Sequence, residues 1–159
     1  MTKRKAHSNL ALRWPRNPRS GKPTVRYEML SSINSRTKGL IQKAISEYEQ
    51  KTCLRFVAAK SGRRIKFTSD CRNPGGCYSF VGYMPWRNGQ ELCLGWCWDR
   101  YGSIVHEIGH AIGLFHEQQR PDRNKYVTVV PELKPGDRYY GEWKVNFEPE
   151  SDFSANFLQ

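Results

Sequence analysis

Apolar positions recur along this chain with two different periods, and the changes between them predict its elements. Over residues 35–51 (SRTKGLIQKAISEYEQK), Leu40, Ile41, Ala44, Ile45 and Tyr48 fall at i, i+1, i+4, i+5 and i+8. That is one face of a helix at 3.6 residues per turn. Gly39 weakens its first turn slightly. A second helix is predicted over residues 103–115, apolar at Ile104, Val105, Ile108, Ala111, Ile112 and Leu114. Short strands are predicted over 54–58, 65–68, 78–83 and 91–95, the last two around a turn carrying Pro85 and Asn88-Gly89. Residues 126–130 are a further candidate strand. Past Pro131 the chain turns polar, and no element is predicted there. No repeat or low-complexity segment interrupts the pattern. Helices mixed with short strands indicate an α+β domain.

The 159 residues suit one domain, and 38% hydrophobic with 13% aromatic residues is too apolar for a disordered chain. No apolar run approaches the roughly 18 residues of a membrane-spanning helix. The opening MTKRKAHSNLALRWPRNP is basic but lacks the apolar stretch of a signal peptide. The net charge of +11 is unevenly distributed. Residues 1–26 carry eight basic groups and no acid, which leaves 18 basic against 15 acidic groups in the other 133 residues. Pro15, Pro18, Gly21 and Pro23 break regular structure in that arm. It could bind a polyanion. The plainer interpretation is a solvated leader or a proteolytic junction at Lys3-Arg4-Lys5, because aromatic residues do not alternate with the basic ones as a stacking surface requires. Nucleic acid is therefore not an expected partner. Five cysteines (Cys53, Cys71, Cys77, Cys93 and Cys97) contain no C-x-x-C pair. Disulfides fit better, and they imply an oxidising compartment. Spacing alone does not choose the pairing.

Residues 106–116 read HEIGHAIGLFH. On a helix His106 and His110 are four residues apart and project from one face. Two neutral imidazoles so arranged can bind one Zn²⁺ at about 2.0–2.1 Å. Gly113 accepts the positive φ that ends a helix, so the chain can turn and bring His116 to the same ion. Three histidines leave a coordination position open, as a catalytic rather than a structural zinc requires. Glu107 stands about 100° round the helix from His106. It is poorly aimed to bind the ion and well aimed to hold a water there and move its proton. Zinc chemistry of this kind hydrolyses peptide bonds.

The segment HEIGHAIGLFHEQQRPDR over residues 106–123 resembles the signature of the astacin family of zinc metalloendopeptidases, within the metzincins. Arg13-Trp14-Pro15 is similar to the start of the family's mature domain. EQKTCLRFV (49–57), GCYSFVG (76–82), QELCLG (90–95) and GSIVHE (102–107) resemble the first helix end and strand, the hairpin, and the entry to the zinc helix. Similarity runs over residues 13–130. The resemblance implies a zincin-like upper lobe, one Zn²⁺ on His106, His110 and His116, and Glu107 as catalytic acid/base. It implies polypeptide substrates, a secreted monomer and no membrane partner. It pairs Cys77 with Cys97, which leaves Cys71 with Cys93 as an extra pair. Cys53 matches a cysteine whose family partner lies near the domain's C-terminus. Glu117 matches the acid that meets the freed N-terminal ammonium of the mature enzyme. Cleavage at Lys5-Ala6 would supply that ammonium, and an uncut leader would leave Glu117 unpaired. The strand over 90–95 would border the cleft and pair with substrate.

The chain also departs from the family pattern. Met1, Met29 and Met84 all precede the zinc helix, so no Met-turn is expected. Tyr139 and Tyr140 do not match the family's metal-approaching tyrosine, and Asn124 stands where an acid is usual. The expected organisation is a basic leader over 1–12 and a partial peptidase domain over 13–159, its lower lobe largely missing. A zinc-binding or protein-binding fragment without catalysis is the alternative function.

Overall fold

The computed structural model describes residues 10–130 and 133–149. The Lys5-Ala6 junction and most of the basic leader lie outside the described residues. The chain forms two compact units, one of Asn9–Gly113 and one that contains Leu114–Gln159.

The first unit is built on a five-stranded sheet and two helices. In chain order these are β1 (Thr24–Met29), α1 (Ser35–Lys51), β2 (Arg55–Ala58), β3 (Ile65–Thr68), β4 (Cys77–Ser79), β5 (Gln90–Leu94) and α2 (Tyr101–Ala111). The helix predicted over 35–51 therefore has its expected bounds. Asn34 caps it, with Oδ1 accepting from the Thr37 backbone N–H at 2.9 Å, which satisfies one of the donors a helix start leaves open. Ile41, Ala44 and Ile45, all on the predicted face, are buried.

The strand order is β2-β1-β3-β5-β4, with β4 alone antiparallel to its neighbour. The sequence pattern does not predict β1. Val25, Tyr27 and Met29 do alternate there, but Pro23, Arg26 and Glu28 make the segment look like a continuation of the basic arm. The fold resolves the charges separately: Arg26 is exposed, while Glu28 pairs with the buried Arg64 at 2.7 Å. A second correction concerns the sheet edge. Residues 90–95 do not border the cleft as a free strand, because β5 lies inside the sheet, bonded to β3 on one side and β4 on the other. A strand paired on both sides has no free backbone groups for a guest, so within this sheet that property belongs to the edge strands β2 and β4, of which β4 adjoins β5.

Ile65 and Phe67 of β3 and Leu92 and Leu94 of β5 form one core with Ile41 and Ala44 of α1 and Ile104, Ile108 and Ala111 of α2. Trp14 reaches the same core and donates from Nε1 to the Ala111 carbonyl at 2.8 Å. Tyr48 of α1 donates to the Val105 carbonyl at 3.0 Å. α2 is thus fixed from two directions.

The second unit, as described, holds 3₁₀ turns at Glu117–Gln119 and Arg123–Lys125 and the helix α3 (Tyr140–Phe147). The strand expected over 126–130 does not form. Tyr126, Val127 and Val130 are exposed there and have no sheet partner among the described residues. α3 lies where the sequence pattern predicts no element. Its aromatic residues Tyr140, Trp143 and Phe147 recur at helical spacing and their rings adjoin, Tyr140 to Trp143 at 6.1 Å and Trp143 to Phe147 at 6.4 Å. None of the described helices is long and apolar enough to cross a membrane.

Phe67 has no exposed surface and meets Tyr27 edge-on at 6.1 Å. Phe67→Ala should therefore cost about 3–5 kcal/mol in urea unfolding. Val57→Ala, at a side chain 47% exposed, should stay within about 0.5 kcal/mol of the parent.

Candidate metal centre

α2 carries the chemistry because its two faces differ. Ile104, Ile108 and Ala111 are turned into the core. His106 and His110 project away from that core together, their Nε2 atoms 2.9 Å apart and their rings at 83°. The helix ends earlier than the predicted residue 115. Ile112 is its C-cap, and Gly113 follows with φ 107°, its N–H donating to the His110 carbonyl at 2.8 Å. This is the turn that the sequence assigns to Gly113.

A second glycine holds the His110 end from the sheet side. Gly82 has φ 79° and donates its N–H to the His110 carbonyl at 2.8 Å. A Cβ at that position would sit 2.7 Å from the Leu12 carbonyl oxygen. Only glycine allows the segment after β4 to approach this closely.

One ligand atom from each of His106, His110 and His116 lies within 4.8 Å of the others. The donor set is three imidazoles with no carboxylate among them, which suits zinc rather than calcium or magnesium. His116 is steadied by Gln119, whose Oε1 accepts from His116 Nδ1 at 3.0 Å. That bond assigns the proton to Nδ1 and makes Nε2 the nitrogen suited to coordinate a metal. Fixing the tautomer and ring orientation is the usual contribution of a group behind a metal ligand. Gln119 does not stand out in the sequence; its only signal is its i+3 spacing from His116.

Glu107 is 6% exposed, and its Oε2 is buried with no hydrogen-bond partner. Its Oε1 lies 3.6 Å from the Cys77 sulfur. That sulfur is bridged to Cys97 and so carries no proton to donate. A carboxylate without donors in an apolar setting disfavours its charged form. Burial pushes the Glu107 carboxyl up to about 7.

The structure joins Cys77 to Cys97 and Cys71 to Cys93, with Cα atoms 6.0 and 5.5 Å apart. Cys53 is free and exposed. Glu117 accepts from Arg120 at 2.9 Å, and Arg120 also donates to both oxygens of Asp122. The expectation that an uncut leader leaves Glu117 unpaired is corrected accordingly: an arginine three residues away reaches its carboxylate within the same 3₁₀ turn.

A sequence model described as Astacin, a peptidase family, matches residues 7–147. Zinc metalloproteinase nas-4 of Caenorhabditis elegans is 35% identical over 127 residues, covering 80% of this chain and 38% of that protein. Protein SpAN of Strongylocentrotus purpuratus is 41% identical over 105 residues, covering 64% of this chain and 17% of that protein. The chain thus spans well under half the length of these curated relatives. Among solved structures, high choriolytic enzyme 1, a hatching enzyme zinc-protease from Oryzias latipes, superposes with a TM-score of 0.73 at 26% identity, over 93% of this chain and 69% of that one.

Gln119 touches His116 but is outside the imidazole set, so Gln119→Ala tests the orienting bond. Zinc affinity, measured by competition with a chelating dye, should fall about 10-fold or more. Folding should be retained.

Proposed function

This chain belongs to the astacin family of zinc metalloproteases, and from that membership we propose that it cleaves internal peptide bonds of polypeptides, with His106, His110 and His116 holding one Zn²⁺ and Glu107 as the acid/base. The observation that carries the proposal is the three converging imidazoles with a buried, donor-free carboxylate next to them in sequence.

Zinc on three imidazoles supplies Lewis acidity, lowering the pKa of water toward about 7 and polarising a carbonyl. The protein's own part is proton traffic. Burial raises the Glu107 carboxyl above the ordinary carboxylate range, which makes it a stronger base than an exposed glutamate. Glu107 takes a proton from water and returns it to the departing amine nitrogen. The packing that buries Glu107 also keeps other donors away from its carboxylate. β4 offers free backbone groups on the side away from β5, so an extended polypeptide adds to it by strand pairing. Two disulfides support an oxidising, extracellular setting.

Glu107→Gln keeps the side chain's shape and removes the base. In the zinc-loaded protein it should lower kcat/KM on an unstructured polypeptide by about 10²–10⁴ while zinc content stays at one per chain. Equal cleavage by parent and variant would remove Glu107 from the chemistry. Zinc binding with no cleavage by either would identify a non-catalytic zinc-binding module.

A further inference from the structure

β3 and β5 each turn one set of side chains into the helix-packed core and the alternate set to the opposite face of the sheet. On that opposite face lies a cavity of about 140 Å³ lined by Lys66, Arg72, Arg87, Asp70, Glu91 and Phe80, among others. None of these residues has a role in the proposed peptide hydrolysis.

Three cations meet two carboxylates there. One of the carboxylates, Glu91, accepts the Tyr78 hydroxyl. Among the described residues none of the three cations makes an ion pair. Arg87 is the most constrained of them. Its guanidinium stacks over the Phe80 ring at 4.6 Å. Its Nε is fully covered and has no hydrogen-bond partner. A covered N–H without an acceptor is costly, and the unmet charge of the fork favours an anion at its remaining N–H groups. The Lys66 stem lies against Gly89, where a Cβ would fall 2.6 Å from Lys66 Cδ. The absence of a side chain at Gly89 is what leaves room for the Lys66 stem. The volume is below the roughly 300–1,000 Å³ of pockets that take drug-sized ligands, so the cavity fits one charged group.

We infer that this cavity is an oxyanion site, taking a sulfate group through Arg87, Lys66 and Arg72 on the sheet face opposite the metal-bearing helix. The sulfate can be free or borne on a glycan, since the cavity would hold the same group in either case. Phe80 fixes the plane of the Arg87 fork, so that an anion in the cavity meets its terminal N–H groups. Asp70 and Glu91 limit the net positive charge of the lining, so the site selects by donor geometry more than by bulk attraction.

The test is an NMR titration of the ¹⁵N-labelled, zinc-loaded full chain with sodium sulfate against sodium chloride at constant ionic strength. A saturable shift of the Arg87 Nε–H resonance and the Gly89 amide is expected. Arg72→Gln, at an exposed position, and Lys66→Met should each weaken binding about tenfold, or roughly 1.4 kcal/mol. No saturable shift, or unchanged affinity in both variants, overturns the inference. In a second arm, a heparin-derived disaccharide that moves the same two resonances and weakens in the same variants assigns the site to glycan-borne sulfate. If it moves other resonances while inorganic sulfate still titrates these two, the site serves the free anion. No substrate is present, so the outcome is independent of whether the chain cleaves peptides.

Discussion

Three imidazole nitrogens within 4.8 Å of one another form an arrangement that an unconstrained chain would not hold. Those of His106 and His110 are within hydrogen-bonding distance of each other, a bond that a bound cation would replace, and a stiff support keeps the rings converged. For His106 and His110, much of the first unit can be understood as that support. The apolar side of α2 locks into the sheet and α1, while Trp14 and Gly82 grip the backbone at Ala111 and His110. Movement of a ligand ring by an ångström would change the coordination distance by half its value, so rigidity here is a functional requirement.

The same packing sets the character of Glu107. Side chains one residue apart on a helix point about 100° apart, so a residue beside the exposed His106 is carried toward the covered side. There it meets a bridged sulfur in place of a donor. A carboxylate hydrogen-bonded by backbone amides would have its pKa lowered and make a poor base near neutrality. The Cys77 to Cys97 bridge therefore contributes more than a chain tether: it fills space next to Glu107 with an atom that carries no proton.

Much of this is legible in the sequence. The i, i+4 histidines, the glycine before His116 and the apolar face of residues 35–51 are local patterns, and local patterns survive folding. The misses share a cause in being non-local. β1 shows a two-residue alternation, but its meaning depends on Arg64, far along the chain, taking up Glu28. Whether β4 or β5 forms the edge is decided by parallel pairing of β5 with β3, which no hairpin signal reveals. The helix over 140–147 hides in polar sequence because its apolar content is dominated by aromatic rings. Gln119 acquires its role only through a turn that returns its amide to His116.

Both disulfides close loops within residues 71–97, and neither reaches α1, β1 or β2. The covalent reinforcement of the sheet is thus concentrated at one end, where β4 and β5 meet the helix that bears Glu107. The other end is held without a covalent link, by strand pairing, apolar burial and the Glu28–Arg64 ion pair. In a reducing environment the two ends would part company: the α1 side keeps its cohesion, while the limb that shapes the carboxylate's surroundings slackens. Thiol status in this chain therefore bears first on the surroundings of Glu107.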